Sequence, residues 1–172
     1  ALALTANPNR DSSEILHEWI VENQLPSDLQ LLLEKSPELI LRLRYLDVWK
    51  VLKNQTWMPS ENWFRDDNFV PGACAKIANA VVEQNIADLL RSERALASAM
   101  ARNHLLEAEK LPVCEHTDFI IGSYQWASHF AEWTEKTWDI LLNHAPLSRA
   151  QCKDLLVARL DEDPLPPLSV MD

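Results

Sequence analysis

His104, Cys114, Glu115, His116, Asp118, His129 and Glu132 are of the types that bind metal ions or move protons. Imidazole, thiolate and carboxylate are the usual ligands of zinc and iron. Their spacing is not that of a metal site. There is no H-E-x-x-H and no pair of Glu-x-x-His segments of the di-iron bundle kind, and His129 and Glu132 stand three apart in the reversed order. The expected metal set is therefore none, with solvated or capped side chains in its place. A nucleophile needs a base beside it and a third group to orient that base. Cys114 lies near His116 in sequence, but neighbours in sequence seldom form such a set. Gly72 and Gly122, the two glycines, cannot supply a G-x-S-x-G elbow or a phosphate-cradling loop. No catalytic residue and no cofactor is expected. The acidic runs Asp66-Asp67 and Asp161-Glu162-Asp163 read as solvated charge.

Other residues have the chemistry of recognition. Trp57, Trp63, Phe64 and Phe69 crowd a polar, proline-punctuated stretch over 54–71. Long irregular stretches tend to be functional, and tryptophan is enriched in binding hot spots. These aromatics either fold back as a lid or form a patch that a partner covers. Arg42, Arg44, Lys50 and Lys53, with Tyr45 and Trp49, make a locally basic stripe in which Arg42, Trp49 and Lys53 fall near one helical face. That stripe can meet an acidic protein or stack on nucleic acid; otherwise its cations pair with the chain's own acids. Phe119, Trp126, Phe130 and Trp133 form one apolar stripe and Trp138 lies off it; core is the expectation for both. Pro164-Leu165-Pro166-Pro167 spells a P-x-x-P segment beside acids rather than a basic anchor, and is expected to be a lightly docked tail.

The elements that must position these groups are helices. Two glycines in 172 residues leave little material for hairpin turns, while ten prolines punctuate the chain. The expected fold is all-α: a single irregular bundle of six or seven helices over 11–160, with 1–10 frayed and 161–172 an acidic, proline-rich tail. Asp11 or Ser12 caps a first helix that runs to about residue 24, before Pro26 ends it. Ser27 starts a short second helix. Ser36-Pro37 opens a third that runs to about residue 53. A long apolar pattern over 72–110 predicts a helix with a break or kink near Ser92 or Asn103. Another spans 118–144, and Ser148 and Gln151 have capping-box spacing for the last, to about residue 160.

The net charge of −10 argues against binding nucleic acid or an anionic membrane surface. No apolar run reaches the roughly 18 residues of a membrane span. Cys74, Cys114 and Cys152 are scattered, with no C-x-x-C, and suit a reducing cytoplasm. The functional expectation is a non-enzymatic, cytoplasmic protein–protein interaction domain, an adaptor, regulator or component of a larger assembly. Its contacts would be Trp57, Trp63, Phe64, Phe69, Arg42, Trp49 and Lys53, and a second copy of the chain is an alternative partner. The rival readings are a helical-bundle enzyme using His104, His116 or His129, and nucleic-acid binding through 42–53 or mimicry by the acidic surface.

Overall fold

The computed structural model describes residues 10–48, 52 and 70–165. The protein is all-α, and six helices are present among these residues: α1 (Ser12–Glu22), α2 (Asp28–Arg44), α3 (Pro71–Glu83), α4 (Ala87–Ala108), α5 (Thr117–His144) and α6 (Arg149–Glu162).

The antiparallel pair α4–α5 is the spine. Arg91 bonds Asp139, Arg102 lies 3.3 Å from Glu132, and His104 stacks on Tyr124, so positions rise on one helix as they fall on the other. Ala97, Ser98, Ala101 and Ala108 on α4, with Ala127, Ser128 and Ala131 on α5, are all buried. Small residues at a helix crossing let the backbones approach closely. With 28 residues, α5 is about 42 Å long and reaches two apolar clusters. Towards its C-terminus Trp138, Leu141 and Leu142 pack with Cys74, Ile77 and Val81 of α3, Leu90 of α4, and Cys152 and Leu156 of α6. Towards its N-terminus Tyr124, Ala127, Phe130 and Ala131 pack with Leu29, Leu32, Leu39 and Leu43 of α2. Helix α1 lies at the edge, packed on α2.

Local signals placed several boundaries. Asp11 caps α1, its carboxylate accepting the Ser13 N–H at 2.8 Å. Ser148 and Gln151 form the reciprocal capping box at the start of α6.

Three boundaries differ from the sequence expectation. Residues 28–44 form one helix, so Ser36 is not a cap. Pro37 sits inside, where its ring removes one N–H and crowds the preceding turn. The helix continues because Leu29, Leu32, Leu39 and Leu43 face one core on both sides of it. Ser36 is used instead as a side chain: its Oγ donates to the Leu32 carbonyl at 2.8 Å and meets the Tyr124 hydroxyl at 2.7 Å.

Second, α2 stops at Arg44 and Tyr45 is extended, so no helix runs through to residue 53. Third, the pattern over 72–110 is two helices, divided at Gln84–Ile86 rather than near Ser92 or Asn103. Asn85 has φ 56°, its N–H bonds the Val82 carbonyl, and the Ile86 N–H bonds Val81. That is a Schellman motif with asparagine in the left-handed position. Helix α1 ends the same way, near the expected stop ahead of Pro26: Gln24 has φ 53°, its N–H bonds Val21, and the Leu25 N–H bonds Ile20. Neither glycine has a positive φ.

Candidate partner-binding surface

Of the seven expected contact residues, Arg42 lies within the described chain. Trp49, Lys53, Trp57, Trp63, Phe64 and Phe69 lie outside the described residues, as do Lys50 and the expected loop up to residue 69. Val70 caps α3 and Pro71 is its first residue, so the expected loop ends sooner than position 71.

Arg42 is occupied within the chain. Its guanidinium bonds Asp47 at 2.5 Å and lies 3.8 Å from Glu38, one turn back. These are the internal acids that the ordinary reading of the basic stripe supplies. The helix that carries Arg42 ends at Arg44, and Trp49 and Lys53 lie outside the described residues.

Beneath Arg42 lies a buried charge network that the sequence analysis missed. Glu93 and Arg94 on α4 are 7% and 2% exposed. The Glu93 carboxylate accepts the N–H of Asp47 at 2.7 Å and of Val48 at 2.9 Å. Arg94 donates to the Tyr45 carbonyl at 2.8 Å and to Glu93 at 2.6 Å. Burial pushes the Arg94 guanidinium below its ordinary value, and Glu93 opposes that shift. Three of these contacts fix the chain over 45–48 against α4, and the fourth pairs the two α4 side chains with each other. Charged residues at adjacent positions of a helix read as surface in sequence; the one available signal is that Glu93 and Arg94 fall between the core positions Leu90 and Ala97.

The outer face of α2 is different. Pro37, Ile40, Leu41 and Arg44 follow one helical stripe and are exposed, Ile40 by 52% and Leu41 by 56%. Leu31 on the same helix and Trp19 on α1 are also exposed, by 57% and 46%. Leu31 stands at the lip of an open groove of about 500 Å³ that also takes in Asp28, Lys35, Glu107, Lys110 and Leu111. A second, shallower trough lies between α4 and α5, where Arg91 pairs with Asp139 and Arg102 with Glu132.

The seven metal-type side chains are not brought together. His104 is buried, with Nδ1 2.8 Å from the Met100 carbonyl. Cys114 lies in the α4–α5 connector, where its sulfur accepts the Thr117 hydroxyl. His129 Nε2 lies 3.3 Å from Asp163 without the alignment of a hydrogen bond, and Glu132 faces Arg102. Among the described residues no three such groups form a metal-binding cluster, and no helix is long and apolar enough to cross a membrane.

Of the aromatic stripe on α5, Phe130 and Trp133 are buried and Trp126 is half-buried and stacked on Phe130. Phe119 is 48% exposed, because it lies in the first turn of α5. Trp138, off the stripe, is also core. Asp161 and Glu162 complete α6 rather than opening a tail, Leu165 packs on the N-terminal cluster of α5, and the P-x-x-P segment passes outside the described residues at 166.

The structure does bring together two residues that sequence spacing kept apart. Cys74 of α3 and Cys152 of α6 share one apolar cluster, and their thiols hydrogen-bond. Each occupies a core position of its helix, Cys74 with Ile77 and Val81 and Cys152 with Leu156, which is the only trace they leave in the sequence.

Compared with families of known proteins, with curated proteins and with solved structures, the chain finds no match.

Proposed function

We propose that this protein is a non-enzymatic interaction domain of the cytoplasm, an adaptor, regulator or component of a larger assembly. It docks a partner protein on the outer face of the α1–α2 hairpin. One observation carries the reading: Ile40 and Leu41 project side by side from a helix whose opposite face is already buried, with Leu31 and Trp19 exposed on the same hairpin. Isolated exposed leucines are ordinary. Adjacent large aliphatics on one stripe are the pattern of a helix face that a partner covers. The expected aromatic contacts Trp57, Trp63, Phe64 and Phe69 belong to the same proposal, as segments that follow α2 in the chain.

The test is affinity capture from the native cell extract, followed by titration of the purified partner. Wild type is compared with Ile40→Asp/Leu41→Asp and with Trp63→Ala/Phe64→Ala. A stoichiometric partner whose Kd weakens at least about tenfold in the first variant supports docking on α2. Loss in the second variant alone moves the contact to the aromatic segment. No specific partner for any of the three proteins overturns the reading.

A further inference from the structure

We propose that Cys74 and Cys152 form a reversible intramolecular disulfide, made by exchange with a small-molecule disulfide, that staples α6 onto α3. Both sulfurs lie in the same apolar cluster, with Cys74 1% and Cys152 0% exposed. The chain around them is held together on either side of Cys74 and just ahead of Cys152. A Cβ at Gly72 would meet the Arg149 side chain at 3.7 Å. Further along α3, Asn79 bonds both the N–H and the carbonyl of Leu147, at 2.6 and 2.9 Å. The thiols hydrogen-bond to each other, so their sulfurs already face across the interface. A disulfide needs two such cysteines on backbones that approach closely, and α3 and α6 pack directly on one another.

The chemistry is exchange with a disulfide of the oxidised-glutathione class. One cysteine thiolate, having lost its proton to water, attacks a glutathione sulfur, breaks that S–S bond and expels one glutathione thiolate. The second cysteine loses its proton and displaces the other glutathione from the mixed disulfide. Two S–H bonds are lost, one protein S–S bond forms, and the two electrons leave with the two glutathione thiols. Either cysteine can supply the first thiolate, since each leaves the other as the resolving thiol. Access comes through local opening of α6, a 14-residue helix packed on α3 and α5. Cys114 stands apart in the α4–α5 connector and provides an internal control.

The experiment equilibrates the wild-type protein and Cys114→Ser in glutathione buffers of increasing oxidised fraction. Samples are acid-quenched, alkylated and read by intact mass and peptide mapping. The expected product is a Cys74–Cys152 bond that costs two hydrogens in mass and leaves Cys114 alkylatable in wild type. It is expected to reverse with dithiothreitol and to raise Tm by about 5–10 °C, since it closes a long loop of the unfolded chain. Cys74→Ala and Cys152→Ala should lose the rise in Tm under the same buffers. Two thiols that stay alkylatable in excess oxidised glutathione, separate glutathione adducts on both, or a bond to Cys114 would each overturn the proposal. Peptide mapping of the wild type decides it even where a variant fails to fold.

Discussion

Glu93 and Val48 are joined by a hydrogen bond of 2.9 Å in which a buried carboxylate holds a backbone N–H of a distant segment. The same carboxylate takes the neighbouring N–H of Asp47, and Arg94 takes the Tyr45 carbonyl. Two adjacent side chains of α4 thus decide where the chain goes after α2 ends. A buried ion pair gains little over a well-packed apolar pair, but removing one partner strands the other.

Glu93→Ala is therefore expected to cost about 3–5 kcal/mol, since it leaves Arg94 unpaired and two N–H groups unmet. The double change Glu93→Leu/Arg94→Met should cost less than Glu93→Ala alone. Urea unfolding of the three proteins measures both, and a double variant less stable than the single would contradict the pairing argument.

Gln24 and Asn85 hold left-handed backbone at the ends of α1 and α3. A side chain with a Cβ is strained there, and asparagine tolerates it better than glutamine. Gln24→Gly is expected to stabilise by about 0.5–1 kcal/mol and Asn85→Gly by less. Thermal unfolding would reveal the order, and a loss of stability in Gln24→Gly would refute the assigned cap.

Gly122 presents the opposite case. It lies inside α5 with a negative φ, and a Cβ there would meet nothing within 4 Å. Gly122→Ala should stabilise by about 1 kcal/mol, the helix-propensity difference. Denaturant titration with an unchanged m-value is the check.

Acid should weaken the fold from one direction. Hydrogen bonds from Arg10, Ser13, Lys110 and Arg159 hold Glu18, Glu34, Glu107 and Asp163 respectively below the ordinary carboxylate range. A depressed folded pKa contributes stability that is complete above the unfolded value and is lost as pH falls through the folded one. Tm is expected to hold between about pH 7 and 5 and to fall below about pH 4. Asp163→Asn should make that acid limb shallower, and a steep decline already between pH 7 and 5 would contradict the assignment.

What the sequence determined by itself is local. The scarcity of glycine and the period of the apolar residues are properties of short windows, and they led to an all-helical chain. The caps at Asp11 and Ser148 were legible because a capping side chain reaches only two or three residues. The chain break at Asn85 carried a weaker local signal. Apolar periodicity runs on through Ile86, which packs as the hydrophobic residue of the cap rather than as part of a continuous helix.

Tertiary structure decided the rest. Pro37 reads as a helix start until four leucines on both sides of it face one core. Glu93 and Arg94 read as surface until the segment 45–48 needs their hydrogen bonds. Cys74 and Cys152 read as scattered until α3 and α6 pack. In each case burial and pairing depend on which helices meet, and contacts between residues far apart in the chain leave no spacing for the sequence to display.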